Sequence, residues 1–164
     1  MASPDSISLD EPGLVHLAGA MARHFAHRMA PNDTVFIGLS GDLGVGKTTF
    51  VRGFVSGLSA EAGLDVTSPT FALVHRYECS PPVWHLDLYR LAPDDLMELG
   101  PDELFYQPGF VLVEWAERAA AVCPRDRVEL DLTVESDERR TLKWGVPEGW
   151  RSEALLAALR TASD

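Results

Sequence analysis

A glycine-rich segment that ends in a lysine and a threonine is the most chemically informative part of this sequence. Residues 41–48, Gly-Asp-Leu-Gly-Val-Gly-Lys-Thr, satisfy the pattern G-x-x-x-x-G-K-[ST] in full. Glycines let main-chain N–H groups approach oxygen atoms, and a following helix directs its free N–H groups at an anion. Lys47 is one of only two lysines in the chain, which favours a compact point charge at this position. The segment predicts a phosphate-binding loop for a nucleoside triphosphate.

The elements around this loop match what the pattern requires. Residues 35–40, VFIGLS, form a short apolar run typical of a buried strand, and residues 48–63 have the periodicity of a helix. Lys47 can reach the β- and γ-phosphates, the Thr48 hydroxyl can ligate Mg²⁺, and Thr49 can bond a further phosphate oxygen. The predicted nucleotide-binding residues of the loop are Asp42, Leu43, Gly44, Val45, Gly46, Lys47, Thr48 and Thr49.

Two carboxylates could complete such a site. Glu114 ends the apolar run 110–113, as in a strand that delivers an acid to the ligand edge of a sheet. Asp87 alternates with leucines in the run 83–90 and shares a face with His85. We expect Glu114 on the metal, and Asp87 near the attacking water or in the outer shell of the metal. Three alternatives remain open. Glu114 could be exposed to solvent, Asp87 could lie on a merely polar strand face, and His85 could have a structural role.

Two further segments are candidates for contact with the nucleotide. The hydroxyls of residues 67–71, TSPTF, could sense the γ-phosphate or Mg²⁺ in the manner of a switch segment, and Thr70 belongs to it. A capped turn made rigid by proline is the alternative. Trp115, next to Glu114, could lie against the nucleotide or in the core.

The order of elements indicates an α/β fold of the P-loop NTPase-like, three-layer type. We expect a mixed β-sheet with a parallel centre, antiparallel hairpins at 71–90 and 127–146, and flanking helices. One domain should span residues 1–164, with about eight N-terminal residues and the last few lying outside its ordered part. The predicted helices cover 11–29, 48–63, 92–105 (one or two short helices), 116–123 and 150–161.

Composition limits the partners and the location. The formal net charge is −11 and the pI is about 4.8, which disfavours direct, high-affinity binding to nucleic acid. If RNA is involved, a partner should supply the positive charge. The sequence shows neither an apolar run long enough for a membrane helix nor a signal peptide, so we expect a cytoplasmic protein. In a reducing compartment, Cys79 and Cys123 should be ordinary free thiols.

Four segments, taken together, resemble one known family. GDLGVGKTTFVRGF, TSPTFALVH, HLDLYRL and VEWAER occur in an order and at intervals similar to those of the bacterial TsaE (YjeE) ATPases. The resemblance covers roughly residues 10–145. Val45 replaces an alanine that is common in the family, and Ala116 replaces a proline. Neither departure removes a reactive group.

The resemblance implies an activity, cofactors and partners. It implies a P-loop NTPase that binds ATP and Mg²⁺, hydrolyses ATP weakly alone, and works in a complex with the TsaD and TsaB proteins. In that family ATP turnover supports formation of N6-threonylcarbamoyladenosine at adenosine 37 of tRNAs that read ANN codons. The transfer itself belongs to TsaD, so tRNA would be met indirectly, through the complex.

The resemblance also implies roles for individual residues. It implies that Lys47, Asp87 and Glu114 are catalytic, and that the metal is held by Thr48, Glu114 and Asp87. Thr49 would serve the phosphates, Thr70 the switch segment, and Trp115 would be the aromatic beside the acid.

Two other classes of function stay open. A small-molecule kinase would need an arginine-bearing lid, for which Arg118, Arg125 and Arg127 are candidates. A nucleotide-dependent interaction module would bind without turnover. A Ras-like GTPase is less favoured, because the sequence has no NKxD segment to read guanine.

Overall fold

The computed structural model describes residues 5–69, 72–147, 149 and 157. Seven strands form one sheet, and helices cover its two faces. The strands are β1 (Asp5–Leu9), β2 (Thr34–Ser40), β3 (Val74–Tyr77), β4 (Val83–Asp87), β5 (Gly109–Glu114), β6 (Val128–Val134) and β7 (Arg140–Gly145). The α-helices are α1 (Glu11–Ala26), α2 (Lys47–Leu58), α3 (Ala60–Leu64), α4 (Pro93–Glu98) and α5 (Pro101–Leu104).

The sheet has the predicted mixed character. Its order is β1-β7-β6-β2-β5-β4-β3. Strand β2 runs parallel to both β5 and β6, and β4 runs parallel to β5. The hairpins β3–β4 and β6–β7 add antiparallel pairs on either side, as predicted. Strand β1, which the sequence does not predict, pairs antiparallel with β7.

The two central strands explain why the site lies where it does. Every residue of β5 is buried, as are the five interior residues of β2, and strands covered on both faces read as continuous apolar runs. One face packs under α1 and α2, where Phe54 meets Phe110 edge to face with ring centroids 4.8 Å apart. The other face packs under α4, α5 and the chain after β5, around Phe36 and Phe105. The parallel strands therefore end together at one edge of a rigid sheet.

One predicted helix is divided in the structure, one is reduced to a turn, and one lies largely outside the described residues. The predicted helix 48–63 is two helices, because Ser59 is extended and its hydroxyl accepts from the Ala62 N–H at 3.2 Å, capping α3. The predicted helix 116–123 is only a short 3₁₀ turn at Ala116–Ala119. The predicted C-terminal helix 150–161 lies outside the described residues, apart from Ala157, which is helical.

The first helix follows its sequence closely. Asp10 caps α1 by accepting from the Gly13 N–H at 2.8 Å, and Pro12 lies in its first turn. Within the part of the chain that the structure describes, no helix is long and apolar enough to cross a membrane.

Candidate functional site

The glycine loop joins the end of β2 to the start of α2, in the conformation that its glycines allow. Gly41 has φ +136°, and a Cβ at this position would lie 2.3 Å from the Leu132 carbonyl oxygen of β6. Gly46 has φ +118° and precedes the first residue of α2. Both torsions lie in a region that side chains resist. The loop can therefore present main-chain N–H groups at a helix N-terminus, as phosphate binding requires.

Lys47 is held inside this loop. Its side chain is 4% exposed, and its ammonium donates to the carbonyl oxygens of Gly41 and Asp42, the latter at 2.9 Å. The ammonium nitrogen also lies 4.0 Å from the centroid of the Trp115 ring, a cation–π contact. Burial lowers the pKa of Lys47, and nearby carboxylates, Glu114 foremost, oppose that shift only in part. An anion bound in the loop would give the Lys47 ammonium a fully charged partner in place of two carbonyl oxygens and an aromatic ring.

Glu114 connects the loop helix to the sheet. The Thr48 hydroxyl donates to Glu114 Oε1 at 2.7 Å, and His85 Nε2 lies 2.8 Å from the same oxygen. Glu114 is 3% exposed and His85 is fully buried. Glu114 is thus a buried strand-end acid rather than an acid in solvent, which excludes that alternative.

Asp87 lies beside Glu114 on the neighbouring strand. The two residues are register partners at the carboxyl ends of the parallel strands β4 and β5. Asp87 Oδ2 accepts from the Ser68 hydroxyl at 2.6 Å, and Oδ1 accepts from the Tyr89 N–H at 2.9 Å. Ser68 of the candidate switch segment 67–71 therefore contacts Asp87. Thr70, the candidate sensor, lies outside the described residues.

Trp115 belongs to the site rather than to the sheet. Its φ of +60° is unusual for a bulky residue, and it turns the chain from β5 into the 3₁₀ turn. Its ring stacks at 5.0 Å on that of Tyr89, and the Arg118 guanidinium lies 5.6 Å from the ring centroid. Arg118 also donates to the Tyr89 carbonyl at 2.6 Å. The stacked rings of Trp115 and Tyr89 therefore form an aromatic surface beside the Lys47 ammonium.

Arg140 is a site residue that the sequence does not predict. Its Nε donates to the Val45 carbonyl inside the glycine loop at 3.0 Å, across 95 residues of sequence. Its Nη1 donates to carbonyls of the β6–β7 turn, including Ser136 at 2.8 Å. Arg140 belongs to no sequence motif, so only its contact with the Val45 carbonyl brings it into the candidate site.

A cavity of about 430 Å³ adjoins the loop on the side of Thr49. The start of α1, the loop, α2 and the β6–β7 turn enclose it, with the lining residues Asp10, Glu11, Pro12, Leu14, Gly44, Val45, Gly46, Thr49, Asp137, Glu138 and Arg140. This space could hold the nucleoside part of a nucleotide whose phosphates lie in the loop. A larger cavity of about 620 Å³, between α3 and the edge strand β3, contains none of the loop residues.

The donor atoms at the site fit Mg²⁺ better than a softer metal. Within residues 5–69 and 72–147, no group of three or more histidines, cysteines, aspartates and glutamates is arranged to hold a metal by itself. The loop and the strand ends supply a hydroxyl and two carboxylates, from Thr48, Glu114 and Asp87. Mg²⁺ prefers oxygen donors, and it is usually bound through one or two protein groups together with substrate phosphates.

Comparison with known proteins identifies the family. A sequence model of the family described as "Threonylcarbamoyl adenosine biosynthesis protein TsaE" matches residues 16–142. The chain belongs to the TsaE family. The tRNA threonylcarbamoyladenosine biosynthesis protein TsaE of Bacillus subtilis is 37% identical over 141 residues, covering 85% of each chain. The TsaE protein of Treponema pallidum is 38% identical over 105 residues, covering 63% of this chain and 76% of that one.

A solved structure supports the same assignment. The crystal structure of YdiB from Bacillus subtilis superposes with a TM-score of 0.68 and 25% sequence identity, covering both chains completely. The predicted TsaE resemblance and the α/β fold class are both confirmed.

Proposed function

We propose that this chain is an ATPase of the tRNA threonylcarbamoyladenosine pathway. It binds ATP and Mg²⁺ and acts with TsaD and TsaB, and its turnover supports modification of adenosine 37 in tRNAs that read ANN codons. The observation that carries the proposal is the junction of Lys47, Thr48 and Glu114: loop, helix start and buried acid meet at one point. Membership of the TsaE family connects this junction to the pathway.

The loop residues would bind the triphosphate. Main-chain N–H groups at residues 42–49 would surround the phosphates, and the Lys47 ammonium would reach the β- and γ-phosphates. The ammonium is buried within the loop, where the phosphates would bind. Trp115 closes one side of the phosphate site, and Arg140 steadies the loop from the other.

The acids would hold the metal and the attacking water. When bound, Mg²⁺ would neutralise negative charge on the phosphates. The Thr48 hydroxyl donates a hydrogen bond to Glu114. The lone pairs of the Thr48 hydroxyl oxygen therefore remain available to a cation. Glu114 adds negative charge at the same point. Asp87, on the adjacent strand, can orient a water or complete the outer shell of the metal.

The surface charge supports a role that depends on partners. With a net charge of −11, the chain repels a bare phosphate backbone, so it reaches tRNA through the other proteins of the complex.

The contacts of two candidate lid arginines do not favour the kinase alternative. Arg127 is bonded to Glu129 and to the Pro124 carbonyl, and Arg118 to the Tyr89 carbonyl.

The decisive measurement is the rate of ATP hydrolysis, alone and with TsaB, TsaD and tRNA. We expect slow hydrolysis alone and a faster rate in the complex. Lys47→Ala should abolish hydrolysis and stop repeated threonylcarbamoyl transfer, and normal cycling with this variant would refute the proposal. Lys143→Ala, an exposed change at the chain's other lysine, on β7, is the control.

Product analysis in the same reactions separates the remaining classes. Release of inorganic phosphate in step with ATP loss is the expected result. A phosphorylated metabolite would indicate a kinase. Partner binding that changes with ATP, while no phosphate is released, would indicate an interaction module without turnover.

A further inference from the structure

A buried histidine on β4 contacts Glu114. His85 is fully buried, and its two ring nitrogens face different partners. Nε2 lies 2.8 Å from Glu114 Oε1, and Nδ1 lies 3.5 Å from the Tyr77 hydroxyl oxygen. The same hydroxyl lies 3.5 Å from the Thr67 carbonyl oxygen. The imidazole therefore lies between Glu114 on β5 and Tyr77 on β3.

The chemistry of the partners fixes one hydrogen of the ring. A carboxylate only accepts, so the short contact to Glu114 requires a hydrogen on Nε2 of His85. The Tyr77 hydroxyl has one hydrogen, which it can donate to the Thr67 carbonyl or to Nδ1, but not to both at once. Burial raises the pKa of Tyr77, so its phenol keeps this hydrogen at neutral pH. The hydroxyl stays beside Nδ1 in both arrangements.

Glu114 Oε1 therefore accepts from two donors on different elements. Thr48 approaches from the loop helix, and His85 approaches from β4. A carboxylate held by two donors cannot rotate freely, which matters for an acid that must meet a metal or a water at a fixed position. On the neighbouring strand, the Ser68 hydroxyl bonds Asp87. Each acid is thus held by side chains outside its own strand.

We propose that His85 is a positioning residue, which orients the Glu114 carboxylate for ATP hydrolysis, with the Tyr77 hydroxyl beside its other ring nitrogen. This inference rests on the proposed ATPase function. It assigns His85 no contact with nucleotide or metal.

Three substitutions separate positioning from packing. His85→Leu removes both polar contacts. His85→Gln keeps an amide N–H near the position of Nε2 and so retains the donor to Glu114, while losing the link to Tyr77. Tyr77→Phe keeps the ring and removes only the hydroxyl. The matched control is His75→Leu, because His75 is the register partner of His85 on β3 and has no hydrogen bond to Glu114 among the described residues.

The expected results concern kcat more than ATP affinity. His85→Leu should lower kcat at least 30-fold and change the Kd for ATP less than threefold. His85→Gln should restore kcat to within about fivefold of wild type. Tyr77→Phe should lower kcat about threefold to tenfold. His75→Leu should match wild type. Wild-type kcat in folded His85→Leu protein, or parallel losses of ATP binding and kcat in every His85 variant, would overturn the proposal. If His85→Leu does not fold, an unchanged kcat in Tyr77→Phe overturns it instead.

A measurement without nucleotide keeps this inference separate from the proposed function. In ¹⁵N-detected histidine spectra of the free protein, His85 should show a hydrogen on Nε2, and the Nδ1 resonance should move in Tyr77→Phe. The opposite tautomer would overturn the positioning role even if ATP is hydrolysed. Absence of hydrolysis in the wild-type complex would instead refute the proposed function, and the spectra would still decide the arrangement of His85.

Discussion

The Thr48 hydroxyl donates a hydrogen bond to Glu114 Oε1 at 2.7 Å, across 66 residues of sequence. This bond joins the second residue of α2 to the last residue of β5, and so joins the phosphate loop to the sheet edge. The same carboxylate oxygen accepts from His85, and Asp87 is its neighbour on β4. The loop and the acids therefore form one site.

Glu114→Gln should separate binding from turnover. Glutamine keeps an oxygen that can accept from Thr48 but removes the negative charge, so the loop should keep its shape while charge at the metal and the water is lost. We expect kcat for ATP to fall about 100-fold or more, with ATP affinity within a few-fold of wild type. Steady-state kinetics and calorimetric binding check this. Glu98→Gln, an exposed change on α4, should behave as wild type, and an active Glu114→Gln protein would remove Glu114 from the mechanism.

Asp87→Asn should give a similar result for a different reason. Asparagine keeps one oxygen and gains an N–H, so it can satisfy either Ser68 or the Tyr89 N–H but cannot act as a charged acceptor for water. We expect ATP binding to be retained and kcat to fall about 100-fold. Asp94→Asn, on the exposed first turn of α4, is the control. Full turnover in Asp87→Asn would exclude a catalytic role for this carboxylate.

Two glycines of the loop should differ in their tolerance of alanine. At Gly41 a Cβ would lie 2.3 Å from the Leu132 carbonyl oxygen, so β6 or the loop must move, whereas at Gly44 no atom lies within 4 Å. Both have positive φ, +136° and +76°. We expect Gly41→Ala to lower the free energy of unfolding by about 3 kcal/mol and Gly44→Ala by about 1 kcal/mol. Urea unfolding measures both values, and equal losses would contradict the packing argument.

Arg140→Lys should weaken ATP binding without changing the fold. Lysine keeps the positive charge but cannot reproduce the planar fork that bonds Val45 and the β6–β7 turn together. Loss of one hydrogen bond to the loop corresponds to about 1 kcal/mol, or about fivefold in Kd. Calorimetry with a non-hydrolysable ATP analogue checks this. Arg125→Lys is the conservative control on an exposed residue, and an unchanged Kd in Arg140→Lys would exclude a supporting role.

Much of the site could be predicted from sequence, because its residues follow apolar runs that fix their position. Lys47 and Thr48 begin a helix after a buried strand, and Glu114 and Asp87 end buried strands whose carboxyl ends meet at one edge. Periodicity and strand length convey this information locally. The family resemblance rests on the same local segments.

Other features depend on contacts that no local pattern encodes. Arg140 and β1 acquire their roles from elements far along the chain, through the Val45 carbonyl and through β7. Residues 116–123 have a helical composition, but Trp115 enters this segment with positive φ, and Ala116 packs closely over Gly38 of β2. Tertiary packing therefore reduces a predicted helix to a single 3₁₀ turn.

Cys123 should react slowly with thiol reagents until the pH is high. Burial raises its pKa to about 11 from a usual value of 9.0, and only the thiolate is reactive, so labelling by a disulfide reagent at pH 8 should be about 100-fold slower than in unfolded protein. The labelling rate of the folded protein should rise about tenfold per pH unit between pH 8 and pH 10. The labelling rate of the unfolded protein should level off near pH 10, because its thiol is then mostly ionised. Since the folded thiol keeps a proton that the unfolded chain loses, the free energy of unfolding should fall as the pH rises through the window from about 9 to about 11. Measurements on Cys79→Ser protein isolate Cys123, and a labelling rate at pH 8 equal to that of unfolded protein would show that this thiol is not protected by burial.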